Sequence, residues 1–183
     1  MRLLPAFCLA MLVSASAGCR PGPQGDLESA VPATPDSKLR EQLVRTLADY
    51  TEACVKGDVR CFRALRASDQ VKRVESTLAE RGAVLSAESV TPKTPESIQR
   101  LLKYPVIQML HRGDYARLAL LNNNAQETGH KKSEVEIVFV LFHREDDTWK
   151  VVQSGPVVLA KEELDSHNEV PEEKIPAPFR IPG

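Results

Sequence analysis

Basic charge is not in excess in this sequence. Lys and Arg number 24 against 25 Asp and Glu over 183 residues, a formal net charge of -1. A surface that gathers phosphates needs a clear basic surplus, so no nucleic-acid partner is expected. Long apolar runs are missing as well. The most apolar stretch near the start, Leu3 to Val13, is interrupted by Pro5 and is roughly 10 residues long, too short to span a bilayer as a permanent helix. No second run of about 18 apolar residues follows, so no membrane span is predicted for the mature chain. His130 and His167 stand alone in polar segments, which gives no cluster for a metal ion. There is no glycine-rich phosphate loop, no Gly-x-Ser-x-Gly, no Cys-x-x-Cys and no internal repeat. The sequence therefore predicts no cofactor and no metal site. What remains is 42% apolar and 27% charged, a mix that suits a globular domain with a real core.

The N-terminus carries the most information. Arg2, the apolar run and the small residues Ser14-Ala15-Ser16-Ala17-Gly18 have the layout of a secretion signal, and Cys19 follows at once. Ser16-Ala17-Gly18-Cys19 resembles the lipobox of bacterial lipoproteins, where a peptidase cuts before the cysteine and its thiol receives a diacylglycerol. That resemblance implies a signal peptide over residues 1–18, lipidation at Cys19 and acyl chains such as palmitate. It places the protein on a membrane of a bacterial cell envelope, facing the periplasm or the exterior. Ser16 stands where that family usually has Leu. Ala15-Ser16-Ala17 also satisfies the A-x-A pattern, so cleavage after Ala17 to a soluble form stays open. Removing residues 1–18 takes away one Arg and leaves 23 bases against 25 acids, a balance of -2.

Residues 19–37 hold four prolines and small polar residues with no periodic apolar face, and read as a flexible tether. Asp36 or Ser37 can cap a helix starting near Lys38. On it, Leu39, Leu43, Leu47, Tyr50 and Cys54 fall at helical spacing on one face. Gly57 ends that helix and Asp58 caps the next, Val59 to Ala67. A third follows over about Gln70 to Arg81, with Val71, Val74 and Leu78 as its stripe. Cys54 and Cys61 flank the corner between the first two helices. In an oxidising compartment this spacing predicts a structural disulfide, with two separately buried thiols as the alternative.

Ala83 to Val90 is weakly strand-like, and Pro95 opens a further helix over Glu96 to Lys103. Val106 to His111 and Tyr115 to Leu121 read as strands joined by an Arg112-Gly113-Asp114 turn. Leu118 and Leu120 share one face of the second, and Tyr115, Arg117, Ala119 and Leu121 the other. The Arg-Gly-Asp triplet is explained by the turn, where Gly supplies positive φ, rather than by adhesion. Glu134 to Ser154 is a β-hairpin around Glu145-Asp146-Asp147. Its first strand is apolar on both faces, with Val135, Ile137, Phe139 and Leu141 on one side and Val138, Val140 and Phe142 on the other, the mark of a central strand. Gly155-Pro156 is expected to break the returning strand. Residues 161–183 form an acidic, Pro-rich tail, solvated or draped over the domain.

The order is three helices, then about four antiparallel strands with a helix between, an α+β fold. That order resembles the nuclear transport factor 2-like superfamily, in which helices pack on a curved sheet to form a cone. Two local features carry the likeness. Ala53-Cys54-Val55-Lys56-Gly57-Asp58-Val59 is similar to the A-x-x-x-G-D corner of that family. Arg144-Glu145-Asp146-Asp147-Thr148-Trp149-Lys150-Val151-Val152 is similar to its closing hairpin. The resemblance covers residues 38–160, and it does not choose a function, because the fold hosts isomerases, cyclases, dehydratases and non-enzymatic binding proteins.

An enzyme of this kind would place an Asp or His base and a Tyr inside the cone. Asp49, Tyr50, His111, Tyr115 and His143 are the available side chains, and Tyr50, Tyr115 and His143 are the candidates to line a pocket. No catalytic residue is assigned, because spacing forces no pair of these groups together. A cone filled by Phe139, Leu141, Trp149 and Val151 would exclude catalysis. The basic stretch Arg60, Arg63, Arg66, Lys72 and Arg73 is interspersed with Asp58, Asp69 and Glu75, and reads as a solvated helical face. The leading expectation is a lipid-anchored envelope protein whose domain binds a small ligand or an envelope protein without catalysis. A small isomerase or cyclase is the alternative. A homodimer pairing sheet faces is a third reading, which an exposed apolar sheet face would favour.

Overall fold

The computed structural model describes residues 35–122, 131–164 and 169–183. The expected signal peptide, Cys19, most of the expected tether, His130 and His167 lie outside the described residues. Five helices come first: α1 Pro35–Lys56, α2 Val59–Leu65, α3 Ser68–Glu80, α4 Ala87–Val90 and α5 Pro95–Arg100. Four strands follow: β1 Val106–Arg112, β2 Tyr115–Asn122, β3 Glu134–Glu145 and β4 Thr148–Ala160. They form one antiparallel sheet in the order β1-β2-β3-β4. This is the α+β arrangement expected from the sequence. Among the described residues no helix is long and apolar enough to cross a membrane.

The stripe of α1 sets the inner layer. Leu43, Leu47, Tyr50 and Cys54 are buried against Leu118 and Leu120 of β2, Val138, Val140 and Phe142 of β3, and Trp149 and Val151 of β4. The corner after α1 needs glycine. Gly57 has φ 65°, and a Cβ there would lie 2.9 Å from the Cβ of Ala87. Asp58 then accepts from the Cys61 amide at 2.9 Å and caps α2. Residues 83–90 are not a strand. Ser86 and Ser89 form a reciprocal capping box that starts the short α4 instead.

The β3–β4 turn is Asp146-Asp147, with Glu145 already paired to Thr148. Both turn residues have positive φ, 49° and 59°, the conformation of a type I′ hairpin. Aspartate tolerates this region but glycine is relaxed in it. Replacing Asp147 with Gly is expected to raise stability by about 0.5 kcal/mol, read as a higher urea midpoint at unchanged slope.

β4 runs unbroken through Gly155-Pro156, against expectation. It is an edge strand, where a proline's missing N–H breaks no ladder. A bulge between Leu141 and Phe142 in the pairing changes the alternation of β4. Trp149 and Val151 face α1, whereas Val157 and Leu159 belong to the opposite face. The quartet that would have filled one cone is therefore divided. A two-residue turn pairs Phe142 with Val151 and Arg144 with Trp149, so Trp149 and Val151 side with the even residues of β3. Phe139 lies on the other face, packed with Ile137, Leu159 and the tail.

That second face is covered by the chain itself. Val170, Ile175 and Phe179 are buried against Ala119, Ile137, Phe139 and Leu159. The tail from 169 to 183 contains short 3-10 turns at Glu172–Lys174 and Ala177–Phe179 and no strand. It is draped over the sheet, with Ile181 also buried.

Candidate functional site

Inside the helix–sheet layer the polar groups are few, and Arg66 and Tyr50 engage each other. The Arg66 guanidinium donates from Nη1 to the Tyr50 hydroxyl. It also lies 5.9 Å from the Tyr50 ring centre and 5.6 Å from that of Phe62. The backbone around Arg66 is pinned to the sheet, since the Ala67 amide donates to the Val151 carbonyl at 2.9 Å. The Tyr50 hydroxyl is also hydrogen-bonded to the Cys54 thiol. Burial pushes the Tyr50 hydroxyl up to about 12, outweighing the pull of Arg66 in the other direction. Burial likewise pushes the Cys54 thiol up, against the hydrogen bond from Tyr50 and the charge of Arg66. Both groups are kept neutral at physiological pH, which makes neither a base nor a thiolate nucleophile.

No disulfide joins Cys54 and Cys61. The physical reason is the position of Cys54 on the core stripe. Its side chain turns inward to Tyr50, while Cys61 is half-buried in the first turn of α2. Under native conditions iodoacetamide is expected to modify Cys61 and to reach Cys54 only after unfolding, as located by peptide mapping. A disulfide would leave both unmodified in either state until reductant is added.

The three candidate pocket residues are not brought together. Tyr115 and His143 are cross-strand partners with stacked rings, 4.5 Å between centroids and 19° between planes. By strand alternation they lie on the outer face of the sheet, whereas Tyr50 packs on the inner face. His111 is exposed and meets Trp149 edge-on at 5.7 Å. Asp49 is exposed.

His143 sits 3.4 Å from Glu145 through Nδ1. The same carboxylate accepts from the Ser68 amide at 3.0 Å, from the Ser68 hydroxyl, and from Lys150 at 2.9 Å. A serine, a glutamate and a histidine thus meet, but the acid stands in the middle. Ser68 Oγ donates to the carboxylate and has no imidazole to take its proton, so this is not an activated nucleophile. Desolvation tends to raise the Glu145 carboxyl, yet Ser68 and Lys150 together hold it down to about 2. The network ties the hairpin tip to the start of α3.

The unusual charge lies elsewhere, at Arg117 in β2. It is 1% exposed, in the middle of the outer face. Its guanidinium donates to both carboxylate oxygens of Glu172, at 3.1 and 2.7 Å, and to the Phe179 carbonyl at 3.4 Å. It also lies 5.8 Å from the Phe139 ring centre. Arg117 hydrogen bonding holds the Glu172 carboxyl below its ordinary value, with Arg112 and Arg180 adding their charge, and burial opposes it only in part. Around this pair the tail fits closely. Gly155, opposite Phe139 in the ladder, leaves room for the Phe179 ring, whose Cζ would be 3.2 Å from an added Cβ. Gln108 donates to the Val170 carbonyl at 3.2 Å. The sequence placed Arg117 on this face with Ala119 and Leu121. A lone cation on an otherwise apolar strand face, followed later by an acidic tail, was the signal for the pair.

No family model matches the chain, and no curated protein matches it. Among the solved structures that resemble it are three NTF2-like proteins. An NTF-2 like protein of unknown function from Silicibacter pomeroyi DSS-3 is 12% identical, covers 69% of this chain and 100% of its own, and has a TM-score of 0.36. An NTF2-like protein of unknown function from Shewanella baltica OS155 is 13% identical over 69% of this chain and 98% of its own, with a TM-score of 0.35. A dehydratase candidate of the NTF2-like family from Streptomyces avermitilis is 19% identical over 67% and 96%, with a TM-score of 0.33.

Proposed function

We propose that this is a lipid-anchored protein of a bacterial cell envelope, exposed to the periplasm or the exterior, whose folded domain binds a ligand or partner protein without catalysing a reaction. One observation carries the anchoring: a short apolar run and small residues that end at Cys19, followed by a Pro-rich tether. A single acyl chain gives only weak membrane binding, so a diacylated cysteine is the form that would hold the domain firmly. The reading as a binding domain is supported by how the polar side chains are used. Tyr50 is held neutral between Arg66 and Cys54, and His143 is turned to Glu145 on the far side of the sheet. No described pair of these groups has an acid–base partner and a neighbouring donor arranged around a common point.

The test is phase partitioning of the full-length protein and of Cys19→Ala expressed in a bacterial host. Wild type is expected in the detergent phase with the membranes, and the variant in the aqueous phase. Identical partitioning of the two would refute the anchor.

A further inference from the structure

Arg66 carries a charge that no described residue answers. Its backbone is fixed on both sides. The Arg66 amide donates to the Phe62 carbonyl at 3.0 Å, and the Ala67 amide to the Val151 carbonyl at 2.9 Å. The side chain is thereby delivered to one place, half-buried beside Tyr50 and Phe62. There Nη1 donates to the Tyr50 hydroxyl, while Nε is buried and has no acceptor. Among the described residues no carboxylate pairs with this guanidinium. Arg117, by contrast, has both oxygens of Glu172. The rings of Tyr50 and Phe62 offer Arg66 their faces, which attract a cation but supply no acceptor for an N–H. A buried donor left unpaired is unfavourable, and more so on a charged group.

The unpaired atoms define what would fit. Nε and the neighbouring Nη2 form the side-on edge of the guanidinium, a fork that matches the two oxygens of a carboxylate. Tyr50 adds a third donor. Its hydroxyl stays protonated in its buried place and is hydrogen-bonded to the Cys54 thiol, a weak partner that an anion would displace. One cation stands here, so a single negative charge balances it, whereas a phosphate carries closer to two. Because Arg66 is only half-buried, an acid can approach it from solvent, and a turn of the guanidinium presents Nε. We propose that Arg66 and Tyr50 form a clamp for the carboxylate of a small organic acid, with the acid on the Nε–Nη2 edge and the Tyr50 hydroxyl donating to it. The proposal rests on the reading of the domain as a ligand binder and names the class of ligand. It does not rest on the lipid anchor.

The test is an NMR titration of the full-length protein with benzoate and hexanoate, each compared with its neutral amide of the same shape. It follows the Arg66 Nε–H resonance, assigned by its absence from Arg66→Lys. At least one acid is expected to bind about tenfold or more tighter than its amide and to move that resonance downfield. Arg66→Met is expected to bind acid and amide alike. Should that variant fail to fold, the acid-to-amide ratio of the wild type decides. Equal binding of acid and amide by the wild type would overturn the clamp and leave the binding domain standing. Preferential acid binding with the Arg66 resonance unmoved would do the same. Failure of both acids and both amides to bind would overturn the clamp together with the small-ligand reading. Tighter binding of phenylphosphonate than of benzoate would overturn the assignment to carboxylates.

Discussion

Replacing Phe139 with alanine is expected to cost about 3–5 kcal/mol and to loosen the tail from the sheet, because it removes a fully buried ring that serves both. Phe139 is 0% exposed on the central strand β3. Its ring is 5.6 Å from that of Phe179 at a tilted angle, and the Arg117 guanidinium lies beside it. Truncation leaves a hole between sheet and tail that only the tail can fill, by shifting Phe179 and disturbing the Glu172 pair. Phe142 makes the control. It is equally buried, but its side chain faces α1 and belongs to the inner core. Phe142→Ala should show a similar loss in the urea midpoint and leave hydrogen-exchange protection of residues 169–183 near wild type. Phe139→Ala should lose that protection. Equal protection of the tail in both variants would contradict the division of the core into two faces.

The second large effect is at Glu145. Its carboxylate accepts from Ser68 and Lys150 and faces His143, and its side chain is 17% exposed. Glu145→Gln should cost about 2 kcal/mol at neutral pH, after allowance for the solvent that still reaches the group. The sign of the pH dependence follows from the depressed folded value. The contribution is fully present above the ordinary carboxylate value of 4.5 and is lost as pH falls through the folded value of about 2. Wild type should therefore lose its advantage over Glu145→Gln across that window. Urea midpoints of the two proteins taken along the acid limb would show the curves converging. A constant gap down to the lowest pH would mean that the carboxylate charge is not what fastens the hairpin tip to α3.

The elements that were legible in the sequence are those whose burial follows a single period. Leu39, Leu43, Leu47, Tyr50 and Cys54 mark the inner face of α1 because a helix repeats every few residues. The two-sided apolar pattern of β3 announces a strand covered on both sides, and β3 is central and covered by α1 and the tail. The pattern could not say which face meets which layer, because both faces are equally apolar. The partners of Trp149 and Val151 depend on a two-residue turn and a bulge that no alternation records. The tail was illegible for another reason. Val170, Ile175, Phe179 and Ile181 follow neither the helical nor the strand period, since they project from short 3-10 turns and extended links. The expected disulfide failed on orientation. Spacing brought Cys54 and Cys61 to one corner, but the core stripe turned Cys54 inward. Of the candidate pocket, Tyr115 and His143 meet as cross-strand neighbours, and Tyr50 is separated from them by the sheet itself.

The measurement that bears most directly on the proposed function is the mass of the mature N-terminus, taken from protein extracted from bacterial membranes. The expected species is a chain beginning at Cys19 whose first residue carries a diacylglycerol and fatty acyl chains such as palmitate. An unmodified chain beginning at Gly18 and recovered from the soluble fraction would contradict it.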